Sequence, residues 1–295
     1  MAELIVRNAK ITSLDRRNPA PRAIAAAGGR IVAAGDEDVV MPLRTAATRV
    51  IDAEGRRLIP GLVDSHIHVV RGGLHYALEL RWDGVRSLEV AMEMLARQVA
   101  VTPAPQWVRV VGGFTALQFV EKRLPTLDEL NQLAPDTPVF ILHLYDRALL
   151  NGAALRACGY DERSPDPPGG HIERDRHGRP TGLLLAKPNA HILYATLAKG
   201  PTLAPEDQAL STRHFMRELN RLGVTSVIDA GGGFQRYPDD YGVVEKLAQD
   251  DQLTLRIACN LFPQRAGEEL ADFERWTSMV SPGGGDDRLR FNGAG

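Results

Sequence analysis

Apolar residues recur with two different spacings along this chain, and the change from one to the other near residue 58 divides it. Before that point, short apolar runs bounded by turn residues predict strands over residues 4–8, 10–13, 23–27, 30–34 and 49–52. Gly28-Gly29, Gly35-Asp36 and Glu54-Gly55 supply the turns. No helix of useful length fits there. So many short strands with so little apolar material predict that residues 1–57 are the N-terminal part of a composite β-sandwich, which needs strands from elsewhere.

From residue 58 onward, apolar strand runs alternate with amphipathic helical stretches, the pattern of repeated βα units around a parallel sheet. The predicted strands are 61–65, 107–111, 139–143, 182–186, 224–229 and 254–260. Between them Ser87 caps a helix over 88–101, Thr126 caps one over 127–133, and a third runs over 205–222 to Gly223. Further helices are predicted over 241–249 and 267–279. The stretch around 159–180, rich in Pro, Gly and charge, reads as an insertion or hairpin. An eight-fold βα barrel takes about 250 residues, so residues 58–295 nearly suffice by length, yet only six strands are legible. The run 282–295 reads as the approach to another strand, and the expectation is an α/β barrel that is incomplete at its C-terminal side.

Composition narrows the function classes. A formal charge of −2 over 295 residues gives no basic stripe to neutralise phosphates, so a small-molecule substrate is expected and nucleic acid is not. Cys158 and Cys259 are too few for a disulfide framework or a cysteine-rich metal site. The N-terminal residues show neither a basic leader nor a signal-type apolar core, and no apolar run reaches membrane-spanning length. A cytoplasmic protein without a membrane partner is the expectation.

A barrel enzyme carries its chemistry at the carboxyl ends of its strands. The first strand delivers Asp64, His66 and His68, all of one parity, so the two imidazoles converge on one side. Imidazole is the commonest ligand of divalent metals. A chance His-x-His pairing is the alternative, and Asp64 either orients a ring or caps the turn. The strand over 139–143 ends in His143, followed by Tyr145 and Asp146, polar groups placed where a substrate would sit; a satisfied loop histidine is the bland alternative. Lys187-Pro188 follows the strand over 182–186, where a lysine carboxylated by carbon dioxide would bridge two metals, although most lysines are simply solvated. Asp229 ends the strand over 224–229 and either meets substrate or metal or caps the turn into Ala230-Gly231-Gly232-Gly233. Those glycines are not a phosphate loop, since no Lys-Ser or Lys-Thr follows. His75, His171, His177, His191 and His214 lack strand-end placement and read as structural or surface residues. No nucleophile elbow or activated cysteine supports covalent catalysis.

With these residues in place, the chain resembles the amidohydrolase superfamily, and within it the amidohydrolase-3 group that includes YtcJ-like proteins and N-substituted formamide deformylases. The resemblance rests on the run from Ile59-Pro60-Gly61 to His66-Ile67-His68 and on Pro125-Thr126-Leu127-Asp128-Glu129-Leu130 continuing through Ala134-Pro135-Asp136-Thr137-Pro138-Val139. It extends to Leu150-Asn151-Gly152-Ala153-Ala154-Leu155 and to Gly169-Gly170-His171-Ile172-Glu173-Arg174-Asp175 with Gly178-Arg179-Pro180-Thr181-Gly182. What it implies is a metal-bearing TIM-like barrel beside a β-sandwich, hydrolysing non-peptide C–N bonds in a small molecule through a metal-activated water. It implies a divalent metal, zinc in the first instance, as one or two ions with His66 and His68 as ligands. Two later histidines and a catalytic aspartate would lie past Gly295. Two departures stand out: Leu144-Tyr145-Asp146 replaces the Asp-Gly-His common in the family, and Lys187 stands where many relatives carry glutamate, which keeps a carboxylated bridging ligand in play.

Two other functions fit the same residues. One is a non-catalytic fragment or binding protein of the same fold; the other is an esterase or lactonase using the same metal site. An open barrel would also expose sheet edges and apolar surface, which predicts self-association into a homo-oligomer.

Overall fold

The computed structural model describes residues 1–232, 235–265 and 267–294, and the chain divides into two units, Met1–Leu62 and Val63–Gly295. In the first, β1 (Leu4–Arg7), β2 (Lys10–Ile11), β3 (Ala23–Ala27), β4 (Arg30–Gly35), α1 (Glu37–Val40), β5 (Arg49–Asp52) and β6 (Arg57–Leu58) follow in order. Strands β4-β3-β1-β5 form one sheet and β2-β6 a two-stranded one. Alternation along β3 buries Ala23 and Ala25 against Ile5 and Val40, a small core of mostly short side chains. The short helix α1 is an addition to the all-strand expectation. It carries Glu37 and Asp38 in its first turn, where they complement the helix dipole.

The second unit runs β7 (Leu62–Ile67), α2 (Val69–His75), β8 (Glu79–Arg81), α3 (Leu88–Val101), β9 (Val108–Val111), α4 (Leu127–Leu133), β10 (Val139–His143), β11 (Arg147–Leu150), α5 (Gly152–Cys158), β12 (Gly170–Arg174) and β13 (Pro180–Ala186). It continues through α6 (His191–Leu197), α7 (Pro205–Arg221), β14 (Val224–Asp229), α8 (Gly242–Gln249), β15 (Arg256–Leu261), α9 (Glu269–Met279), β16 (Gly284–Gly285) and β17 (Leu289–Ala294). The caps expected from sequence are present: Ser87 Oγ accepts from Val90 N–H, and Thr126 and Glu129 form a reciprocal capping box. Among the described residues no helix is long and apolar enough to cross a membrane.

Sheet membership departs from the expectation of one parallel array. The strands form two sheets, ordered β16-β17-β15-β14-β7 and β12-β13-β11-β10-β9-β8, and among the described residues neither closes into a barrel. In the first, β14, β15 and β17 are parallel neighbours, and Ala230 N–H donates to Ile67 C=O at 2.8 Å at the β7 edge. The second is parallel only across β8, β9 and β10. Strand β13, read from sequence as a barrel strand, is antiparallel to both β11 and β12. The stretch expected as an insertion thus becomes the β12–β13 hairpin, and the larger excursion is everything between β7 and β14.

Each sheet is held by its own core. Along β10, Val139 and Ile141 pack with Trp82, Leu95 and Phe119 on one face, while Phe140 and Leu142 pack with Leu150, Ile172 and Leu184 on the other. The β14–β15–β17 sheet buries Val227, Ile257, Cys259 and Leu289 against α2, α7, α8 and α9 through Val69, Met216, Val244 and Trp276. Helix α2 lies unusually close to α7. A Cβ on Gly73 would sit 2.8 Å from Thr212 Oγ1, and one on Gly72 2.7 Å from Phe215 Cε1. Buried Ser211 fastens the contact, donating to Gly73 C=O at 2.6 Å and accepting from Ala77 N–H at 3.0 Å.

Candidate active site

The end of β7 and the start of α2 place His66 and His68 side by side, with ring centroids 5.5 Å apart and planes at 82°. Two imidazoles sharing one tetrahedral ion hold their ring centres about 5 Å apart, so the pair is already close to a chelating spacing. His66 is exposed and His68 half-buried. Burial, reinforced by the Arg71 charge, holds the His68 imidazole below its ordinary pKa and favours the neutral ligating form. His68 Nδ1 is buried without a hydrogen-bond partner, a lone pair available to a metal. This is the observation that fits the pair to the metal implied by the resemblance. The fit is partial, because among the described residues no group of three or more His, Cys, Asp or Glu side chains is placed to hold an ion.

Asp229 underpins the pair from β14. It is fully buried, and Oδ2 accepts from Val70 N–H at 2.8 Å, capping the first turn of α2. Oδ1 accepts from Gly231 N–H and Gln235 Nε2, each at 2.9 Å. Gln235 in turn accepts from Arg71 N–H at 2.9 Å and meets Tyr241 Oη at 2.8 Å. This is the turn-capping arrangement, with one donor on Oδ2 and two on Oδ1. Gly231 adopts φ +65°, and a Cβ there would meet Asn260 C=O at 2.5 Å, so the tight turn under His68 needs glycine. Gly233, read with it from sequence, lies outside the described residues.

The remaining candidates sit elsewhere. Asp64 Oδ1 accepts from His66 backbone N–H at 3.0 Å, the turn-cap alternative rather than a ring contact. His143 faces a second cavity beside Thr126, Lys122 and Arg147. Its Nε2 accepts from Ala116 N–H at 3.2 Å, which leaves the ring proton on Nδ1 for Asp146 at 2.9 Å. Both ring nitrogens are thus engaged, and the side chain lines this second cavity rather than the one that His66 and His68 line. Lys187 is exposed and outside the cavity that His66 and His68 line. Its strand runs antiparallel to its neighbours, so its end is not a barrel-strand end.

That cavity, of about 700 Å³, holds residues the sequence reading passed over. His75 is among them: burial, with Arg109 and Arg71 nearby, pushes its pKa down to about 4. The signal was helical, since His75 follows His68 by seven residues on the helix that His68 begins. Arg71, Glu79, Arg109 and Tyr194 also line it. Arg109 was visible as a lone charge inside the apolar run Trp107-Val108-Arg109-Val110-Val111, and it is 2% exposed. Tyr145 also lines the cavity, at its exposed rim.

The geometry comes to a His-x-His strand end over one cavity of the second unit. The amidohydrolase family's sequence profile matches residues 49–294, and the chain belongs to that family. It is 32% identical over 233 residues to an N-substituted formamide deformylase of Arthrobacter pascens, covering 78% of this chain and 43% of that protein. It is 34% identical over 149 residues to the YtcJ protein of Bacillus subtilis, covering 50% of this chain and 28% of that protein. An uncharacterised metal-dependent hydrolase of Pyrococcus horikoshii shares the fold, with a TM-score of 0.64 at 19% identity over 99% of this chain and 53% of that one. The chain spans about half the length, or less, of the curated relatives it matches.

Proposed function

We propose that the chain carries the first part of a metal-dependent amidohydrolase that cleaves an amide-like, non-peptide C–N bond in a small molecule. In this reading β7, β14, β15 and β17 are the first strands of a TIM-like barrel, and residues between β7 and β14 form an insertion that walls the substrate cavity. The observation that carries it is the His66–His68 pair, 5.5 Å apart over the cavity, with His68 Nδ1 buried and unpartnered. A divalent ion, zinc in the first instance, would be held by these two imidazoles, and when bound it polarises the carbonyl and lowers the pKa of its water. The chain's own residues set the geometry: Asp229 fixes the start of α2 and so the His68 ring, and the Gly231 turn allows close packing beneath it. The remaining ligands and the proton-transferring carboxylate belong, on this reading, to the part of the family that this chain does not span.

Equilibrium dialysis against zinc with elemental analysis tests the assignment. The unsubstituted chain takes up zinc at one site, and His66→Ala or His68→Ala weakens it at least about tenfold, as expected when one of two ligands is removed. Equal zinc content in all three proteins contradicts it. A second reading draws on the same shortage of ligands: the chain binds metal and small molecules without turnover, and zinc uptake with no amine release from N-substituted amides would favour it.

A further inference from the structure

Three buried side-chain nitrogens without a hydrogen-bond partner, His68 Nδ1, His75 Nδ1 and Arg109 Nε, belong to residues that line the same cavity. Buried donors are ordinarily satisfied, so the ones that must be donors are the informative ones. Two of the three are accounted for by neutral imidazole, for which an unprotonated nitrogen is a tolerable state. Arg109 is different: a guanidinium has only donors.

The cavity's charge balance says what kind of ligand. Its fixed charges are Arg71, Arg81 and Arg109 against Glu79 and Asp240. Glu79 is ion-paired with Arg81 and stands opposite Arg109 in the β8–β9 register. Asp240 already accepts from Arg236 N–H at 2.6 Å. Among the described residues Arg71 has no carboxylate partner. Its guanidinium instead lies 5.0 Å over the Tyr194 ring and also hydrogen-bonds the Tyr194 side chain, contacts that orient it without neutralising its charge. Arg109 spends one Nη donor on Pro201 C=O at 2.7 Å, and it packs closely on Gly200, where a Cβ would meet Arg109 Nη2 at 2.9 Å. The fold therefore makes room for a buried guanidinium and keeps a second beside the histidines. Leu142, Leu197 and Phe215, with Tyr194, give the cavity an apolar flank.

We infer that this cavity takes a small carboxylate with an aryl or alkyl body, its anion held by Arg71 with Arg109 behind, and its body against Tyr194 and the apolar flank. The inference deepens the proposed function by naming a substrate or product class. As a statement about binding it rests on the cavity alone.

The test is calorimetric titration of the metal-free chain, with chelator present, using 3-phenylpropanoate and its neutral isostere 3-phenylpropanamide. The acid is expected to bind saturably and at least about tenfold tighter than the amide, the scale of one charge-assisted hydrogen bond. Added salt should weaken the acid and leave the amide unchanged. Arg71→Gln, folded by circular dichroism, should lower acid affinity about tenfold or more without altering the amide, and Arg71→Lys should restore part of it. Equal binding of acid and amide, binding of neither, or full selectivity retained in Arg71→Gln overturns the inference. Acid selectivity without any zinc uptake overturns the hydrolase reading and leaves this one standing.

Discussion

Replacing Asp229 with alanine should cost this chain a large share of its stability. Three buried donors, Val70 N–H, Gly231 N–H and Gln235 Nε2, converge on its oxygens at 2.8–2.9 Å. A buried donor left without an acceptor costs about 1–3 kcal/mol. A water occupying the vacated space could satisfy one of the three, so the two donors that remain make the expected loss roughly 2–6 kcal/mol, against a total of about 5–15 kcal/mol for a folded domain. Asp229→Asn keeps one acceptor oxygen and sets an amide against the remaining donors, so its cost should be smaller, about 1–3 kcal/mol. The assay is urea unfolding followed by far-ultraviolet circular dichroism, with the midpoint falling in the order wild type, Asn, Ala at constant slope. Zinc affinity should fall alongside, because the α2 start that holds His68 loosens. An alanine variant within 1 kcal/mol of wild type would refute the view that this carboxylate locks β14 to α2.

Gly73→Val drives a side chain into Thr212 and should lower stability by about 1–3 kcal/mol through the α2–α7 contact, read as a drop in Tm. His143→Ala should leave zinc affinity unchanged and remove about 1 kcal/mol of stability by stranding Ala116 N–H; a tenfold loss of zinc binding would bring β10 back into the site. His75 titrates near 4 when folded and near 6.5 when unfolded. The unfolded chain therefore binds more protons between those values, and stability is full above about pH 6.5 and lost as pH falls toward 4, by up to about 3 kcal/mol. His75→Gln should flatten that dependence, and an unchanged profile from pH 7 to pH 4 would contradict it.

Local chemistry in this sequence fixes elements more firmly than it fixes their partners. Strands β3, β5, β10 and β14 and helices α3 and α4 lie where apolar periodicity and capping residues put them, because those signals are contained within a few residues. Helix α2 escaped notice because Gly72 and Gly73 depress helix propensity, and the reason for tolerating them, contact with α7, lies some 140 residues away. Strand β8, Glu79-Leu80-Arg81, is too short and polar to announce itself. Sheet membership failed for a related reason: β9, β10 and β13 are apolar on both faces like strands of a buried parallel sheet, and nothing local says that β7 skips them to lie beside β14. The His66–His68 pair was legible because strand parity alone determines that the rings share a side. Arg71 and Arg109 were written in the sequence, as a cation one helical turn beyond His68 and a charge inside an apolar strand, but the cavity that gives them meaning forms only when the two sheets of the second unit come together.

Site-resolved imidazole ¹⁵N spectra during a zinc titration test the central assignment most directly. The account predicts that the ring nitrogens of His66 and His68 shift together to metal-bound values at one equivalent of zinc, while those of His143, His171, His177, His191 and His214 stay in place. Zinc-dependent shifts confined to any of these other histidines, or none at His66 and His68, would contradict it.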